Sequence, residues 1–398
     1  MSNEIELSSV ITDIAAGPFG SNLKVECFVP YGFPIIDGAN LKGYKVTDNL
    51  TKFVTEEKAR SLSRSIAHRG DVVVTISGTL GQIAYIPEDS VVEEYLCSQR
   101  QFRVSFDTSQ VYVPYLVFYF HTFEGQNKIL SFANQTGVPA LSQPLKNFKK
   151  IRLRLPDYLT QKKIASVIEA FNDKIECNQK INDNLYAQAK AIFSNYFINI
   201  DTIPSGWERG NLLDIASYLN GLAMQKFRPA ESETGVPVLK IKELRQGFCD
   251  ADSELCSPSI KSEYIIKDGD VVFSWSGSLL VDIWCGGTCG LNQHLFKVTS
   301  KVYDKWFYYL WTVHHLDRFI AIAADKATTM GHIKREELAK AEVLIPSDID
   351  YQNIGSIMNP IFDLIISNRI ESSRLAKLRD ELLPKLMSGE IDVSNIQL

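Results

Sequence analysis

Two short constellations in this chain have the residue types of catalysts. Pro34-Ile35-Ile36-Asp37 followed by Glu56-Glu57-Lys58 is the loose pattern of a metal-dependent nuclease, where clustered carboxylates hold a divalent ion and a lysine assists a water. Asn359-Pro360-Ile361-Phe362 approaches the Asn-Pro-Pro-aromatic motif with which amino-methyltransferases grip a target amine. Neither is complete. The second proline is missing from the latter. No glycine-rich cofactor loop follows a strand nearby, since Gly78-Thr79-Leu80-Gly81 is too short for G-x-G-x-x-G. Asp37 has no acidic equivalent in the second copy, where Val238-Leu239 is followed by Lys240. The six histidines do not cluster, and the adjacent His314-His315 cannot face one way on a helix. Seven cysteines include no C-x-x-C pair; the closest spacings are Cys285/Cys289 and Cys249/Cys256. Such usage reads as reduced thiols in a cytosol, with no metal site. These residues define no catalytic centre.

The elements that would carry such residues occur twice. The run His68 to Ala84 returns as Ile266 to Ile283, with Gly70-Asp71 and Gly78 recurring as Gly269-Asp270 and Gly277, 199 positions later. Val72-Val73-Val74-Thr75-Ile76 and Val271-Val272-Phe273-Ser274-Trp275 read as buried strands, entered and left through glycine turns that need positive φ. Aromatic stretches follow, Tyr112 to Phe120 and Trp306 to Trp311, and read as helices packed on the sheet.

A proline closes each mixed part, Pro156 and Pro346, and a long helical pattern follows. In the first, Ile164, Ile168, Phe171 and Ile175 are spaced 4, 3, 4, which is a heptad seam continued by Asn178 and Leu185. Ile181 is a further apolar position, and Thr160 is a plausible cap. In the second, Ile354, Met358, Ile361, Ile365, Asn368, Leu375 and Leu378 mirror it, with Pro360 predicting a kink or a later start. Two matching stripes bury most simply against each other as an antiparallel pair; the alternative packs each helix on its own mixed domain. The expected division is 1–157, 158–199, 200–347 and 348–398. A duplicated unit implies a duplicated target or a two-fold assembly.

Composition fits that architecture. Apolar content of 45% and charged content of 22% allow ordinary buried cores. The longest apolar run, Val111 to Phe120, is too short for a bilayer and the beginning of the chain has no secretory apolar stretch, so the expected location is the cytoplasm. A net charge of −5 counts against a purely electrostatic nucleic-acid binder, while leaving room for local basic stretches such as Lys146 to Arg154.

At these residues the chain resembles the specificity subunit of type I restriction–modification enzymes. Arg154 to Phe193, with Gln161-Lys162-Lys163-Ile164 and Asp173-Lys174-Ile175, resembles the family's central conserved region. Arg374 to Val393, with Leu383-Pro384-Lys385-Leu386 and Ser388-Gly389-Glu390-Ile391, resembles its distal one. The resemblance implies an α/β (α+β) fold: two tandem target-recognition domains separated by two long helices in an antiparallel coiled coil. It implies a non-catalytic role in host defence, reading a bipartite site on double-stranded DNA with one domain per half-site. It also implies two methyltransferase subunits and restriction/translocase subunits as partners, which would carry S-adenosylmethionine, ATP and Mg, with none bound by this chain. The sequence departs from the pattern at Asp350-Tyr351-Gln352-Asn353, where the Gln-Lys pair is lacking, at Pro360, and at Leu280, which replaces Gly81.

On that reading, base edges fall to Arg, Lys, Asn, Gln, Ser and Thr at the tips of elements, and phosphates to basic and small hydroxyl side chains. The first domain's polar loops offer Ser21, Asn22, Lys24, Asn40, Lys42, Thr79, Gln99, Arg100 and Thr136. The second offers Gln225, Lys226, Arg228, Lys240, Lys242, Ser278, Asn292, Gln293, Thr328, Thr329 and His332. Gln99 and Gln293 occupy matching places before Phe102-Arg103-Val104 and Phe296-Lys297-Val298. The competing reading is a scaffold or adaptor whose helices bind other proteins.

Overall fold

The computed structural model describes residues 3–134, 137–325 and 333–397. The chain forms two compact units, Met1–Phe171 with Leu378–Leu398, and Asn172–Lys377.

In the first unit the β-branched run forms the buried strand Val72–Thr75. It lies in an antiparallel sheet ordered Ile11–Ala16, Gln101–Phe106, Val72–Thr75, Ile83–Tyr85, with Phe102 opposite both Ala16 and Val74. A second sheet runs Phe28–Val29, Phe53–Val54, Phe33–Ile36, Glu94–Cys97, Ile66–His68, and its Phe33–Ile36 and Glu94–Cys97 strands are parallel. The second unit repeats this plan. Its antiparallel sheet is ordered Ser217–Asn220, Leu295–Thr299, Val271–Ser274, Leu280–Ile283. Its other sheet is Leu255–Cys256, Val236–Leu239, Cys289–Leu291, Ile265–Ile266, with Val236–Leu239 and Cys289–Leu291 parallel. The repeat in sequence is a repeat of topology, save for the edge strand Phe28–Val29, which the second unit's four-stranded sheet does not match.

The Gly-Asp pairs build turns. Asp71 accepts the His68 N–H at 2.9 Å and Asp270 accepts the Lys267 N–H at 2.8 Å. Gly70 and Gly269 stand at φ 82° and 85°, where a side chain would be strained, and donate to the Ile86 and Trp284 carbonyls. Each aspartate meets a cation from the neighbouring strand: Arg103 at 3.9 Å from Asp71, and Lys297 at 2.8 Å from Asp270.

The aromatic stretches become helices Val113–Phe120 and Lys305–His314, and Tyr115 to Phe120 and Trp306 to Trp311 are all buried. Their rings fill the cores, which accounts for them without base stacking.

The long helices are Tyr158–Phe193 and Asp348–Ser388. The first cap is Asp157 and not Thr160: Asp157 accepts the Thr160 N–H at 3.0 Å and its hydroxyl at 2.7 Å. Ser347 takes the same part in the second, accepting the Asp350 N–H. The second helix starts before Pro360 and runs through it as unbroken helix. The two helices meet in antiparallel fashion. In the second unit Asn178 donates to Glu371 at 2.7 Å and Ser372 at 3.2 Å, while Asn182 donates to the Ile365 carbonyl at 3.2 Å. In the first unit Ile164, Ala165 and Ile168 share a cluster with Leu383 and Leu386.

The alternative packing is also present, since each helix covers a mixed domain as well. Ile354, Met358 and Phe362 join the second unit's core, as do Phe193 and Phe197 from the end of the first helix. Along the seam Ile164, Ile168, Asn178, Ile354, Met358, Ile365 and Asn368 are buried, whereas Phe171, Ile175, Leu185, Ile361 and Leu375 are half-buried. Ile181 and Leu378 are exposed; the buried positions near them are Asn182 and Leu383. Among the described residues no helix is long and apolar enough to cross a membrane.

Candidate nucleic-acid interface

In the first unit the tips of the two sheets leave a cleft of about 610 Å³ lined by Asp37, Lys52, Thr79, Gln82, Gln99 and Arg100, among others. It is open, and its polar side chains stand beside apolar ones from Leu23, Val25, Phe28 and Ile35. Gln82 is fixed in its wall, donating to the Gly38 carbonyl at 2.9 Å and accepting from Thr75 at 3.1 Å. Gly78 holds φ 97° and turns the chain at the cleft edge, with Thr79 exposed beside it. The Arg100 side chain is exposed, and among the described residues no hydrogen bond or ion pair engages it.

Gln99 is exposed, yet its amide is half committed. Nε2 donates to the Gly20 carbonyl at 2.8 Å and the Leu23 carbonyl at 2.7 Å, leaving Oε1 to accept. It therefore fixes the loop that carries the exposed Asn22 and Lys24. Ser21 sits in the turn Gly20–Asn22 of that loop. Gly17 lets the loop approach, because a Cβ there would press into the Ser98 carbonyl. Lys42 is exposed.

Asn40 is not available to a ligand. It is 4% exposed, its Oδ1 accepts the Asp37 N–H, and its Nδ2 donates to the Thr47 and Asn49 carbonyls. A short polar side chain is the usual way to satisfy a folded-over loop's backbone, which is why its type resembled that of a reader. Thr136, Thr328, Thr329 and His332 lie outside the described residues.

The second unit repeats the framework. The Gly17 N–H donates to the Gln101 carbonyl and the Gly221 N–H to the Leu295 carbonyl. A Cβ on Gly221 would likewise press into the Asn292 carbonyl. This register makes Gln99 and Gln293 equivalent. The chemistry differs, however. Gln293 is half-buried, with Nε2 3.3 Å from His294 Nε2, and His294 Nδ1 is 2.9 Å from the Ser276 hydroxyl. Asn292 is buried, its Oδ1 accepting the His294 N–H at 3.2 Å, and is structural. Gln225, Lys226 and Ser278 are exposed. Lys242 binds Asp250 at 2.9 Å, and that hydrogen bond, ahead of those from Gln246 and Ser253, brings the Asp250 carboxyl down to about 2. Arg228 and Lys240 both pair with Glu254.

Asp37, Glu56 and Asn359 of the two catalyst-like runs are each engaged by a neighbouring side chain. Asp37 pairs with Lys52 at 2.5 Å, and Glu56 with Arg60 at 2.8 Å along another depression of the surface. Asn359 donates to Asp304 at 3.1 Å, and Phe362 lies in the core 5.7 Å from the Tyr309 ring. Among the described residues no group of three or more His, Cys, Asp or Glu could hold a metal ion.

Residues 27–187 and 204–377 match the model of the type I restriction modification DNA specificity domain. The chain belongs to this family of specificity subunits and contains two target-recognition domains. It is 25% identical over 365 residues to the type I restriction enzyme MjaIX specificity subunit of Methanocaldococcus jannaschii, covering 86% of this chain and 82% of that one. It is 21% identical to the HindI specificity subunit of Haemophilus influenzae, covering 61% and 69%. A crystal structure of the type I restriction-modification S subunit from M. genitalium has the same fold, with a TM-score of 0.58 at 14% identity over 96% of this chain and 95% of that one.

Proposed function

We propose that this chain reads a bipartite site on double-stranded DNA, one half-site per recognition domain. It performs no chemistry itself and docks two methyltransferase subunits and, for cleavage, restriction/translocase subunits. S-adenosylmethionine, ATP and Mg belong to those partners, and the complex works in the cytoplasm. The observation that carries this reading is the repeated framework: the same strand order, the same glycine approach and the same glutamine position occur in both units, with different polar side chains on each. A common scaffold with altered side chains suits two readers of two different half-sites.

The helix pair acts as the ruler between half-sites. One added turn in each long helix lengthens it by roughly 5 Å, about the rise of one to two base pairs. The test is methylome sequencing of cells carrying the methyltransferase partners with this chain or with the helix-lengthened form. The expected result is a bipartite motif that requires the chain and a changed gap with unchanged half-sites in the longer form. Altered half-sites would defeat the ruler. DNA binding by the partnered chain should also fall steeply with salt through counterion release; a flat response would favour the adaptor reading.

A further inference from the structure

The Asp37–Lys52 pair of the first cleft and the Lys240–Glu254 pair of the second domain occupy the same place in the fold with opposite polarity. Ile35 N–H donates to the Lys52 carbonyl at 2.9 Å, and Val238 N–H donates to the Glu254 carbonyl at 2.7 Å. Ile35 and Val238 each lie on the strand that runs parallel to its neighbour, opposite Leu96 and Gly290. Asp37 and Lys240 are thus equivalent strand-end positions, and Lys52 and Glu254 are their equivalent cross-strand partners. In the first domain the strand end carries the acid and the cross-strand position the lysine, 2.5 Å apart. In the second the strand end carries the lysine and the cross-strand position the acid.

One thing does not invert. The lysine is the outer partner in both, with side chains 47% exposed for Lys52 and 43% for Lys240, against 20% for both Asp37 and Glu254. Each acid sits behind its lysine and orients it. An ion pair this exposed adds little to stability, so the fold does not depend on it. Asp37 and Lys52 line the first cleft beside Gln99 and Arg100. An oriented lysine ammonium is a donor to guanine O6 and N7.

We propose that these pairs are specificity-determining: each holds a lysine against a base edge of its half-site, and the reversed polarity makes the two domains reach for that base from opposite strands of the same scaffold. The inference rests on the DNA-reading function proposed above. In the second domain Arg228 shares Glu254, so that acid holds two cations where Asp37 holds one.

The experiment reverses each pair while keeping it paired, in the full chain with its methyltransferase partners. The doubly substituted forms are Asp37→Lys with Lys52→Asp, and Lys240→Glu with Glu254→Lys. Methylome sequencing reads the motif. The first form should change base preference at one position of the first half-site, leaving the second half-site and the gap intact; the second form should do the converse. Lys52→Met and Lys240→Met, which demand no new pair, should relax discrimination at the same positions by roughly 5- to 150-fold. Motifs and efficiencies identical to wild type in both reversed forms, or in both methionine forms, would overturn the inference while leaving the DNA-reading function standing. If the wild-type complex itself marks no bipartite motif, the functional reading fails first.

Discussion

Asn368 donates from Nδ2 to Asn182 Oδ1 at 3.0 Å between the two long helices, with both residues less than a tenth exposed. Asn178, 1% exposed, donates in turn to the Asn368 carbonyl. Buried amides on a helix seam fix register at some expense of stability. Asn368→Leu should destabilise the chain by about 1–3 kcal/mol, because Asn182 keeps its buried oxygen and loses its donor. Asn182→Leu combined with Asn368→Leu should regain that loss and loosen the register. Urea unfolding checks the first outcome, and faster amide exchange across residues 172–185 of the double variant checks the second.

Gln161 is completely buried and makes three bonds to backbone: it accepts the Tyr112 N–H at 2.8 Å and donates to the Gln110 and Pro156 carbonyls at 2.9 Å. Tyr112 precedes the aromatic helix. In the second unit the same office falls to Tyr351, whose hydroxyl accepts the Asp304 N–H at 2.6 Å before the matching helix. The missing Gln-Lys pair is thus replaced by a tyrosine with the same function. Gln161→Ala should cost about 3 kcal/mol and Tyr351→Phe about 1 kcal/mol, the difference reflecting the number of orphaned backbone groups. Calorimetry with amide exchange at Tyr112 and Asp304 reads both.

Gln99→Ala should weaken binding to the first half-site by about tenfold through release of the Gly20 and Leu23 carbonyls, the loss of roughly one net hydrogen bond of loop order. The second half-site should be untouched. Binding measured on duplexes altered in one half-site at a time decides this; equal loss on both would contradict it.

Burial holds the His121 imidazole below its ordinary pKa, opposed by its bond to the Ile83 carbonyl; burial does the same for His315, opposed by the Glu342 carbonyl. Below pH 6.5 the unfolded chain protonates these rings while the folded chain does not, so the unfolded state binds more protons. Stability should therefore be level above neutrality and fall as the pH drops below 6.5, until the depressed folded pKa is passed. The slope is at most about 1.4 kcal/mol per pH unit for each ring. Urea midpoints from pH 7.5 to 5 test this, and His121→Gln should flatten part of the decline.

The sequence disclosed what local spacing controls. Val72 to Thr75 and Val271 to Ser274 announce strands because β-branched runs between glycine turns have few alternatives. The seam at Ile164, Ile168, Ile354 and Met358 follows from period alone. Other features depend on partners far along the chain. Asn40 looked like a reader because nothing in its neighbourhood shows that three backbone groups converge on it. The reversed ion pairs were hidden by loops of unequal length, which place Lys52 and Glu254 at different distances from Asp37 and Lys240. Gly17 and Gly221 were missed because they do not keep the 199-residue offset of the Gly-Asp blocks. The later helix start expected at Pro360 does not occur, because a helix anchored on both sides, by Asn359 on Asp304 and Phe362 on Tyr309, can offset the missing N–H.

Each compact unit takes the opening of one long helix and the close of the other. During synthesis, Tyr115, Phe118, Ile164 and Ile168 emerge long before Leu383 and Leu386 arrive to cover them. The half made first must wait with an oily flank uncovered, so a ribosome halted midway would release a sticky product in place of a working half-molecule.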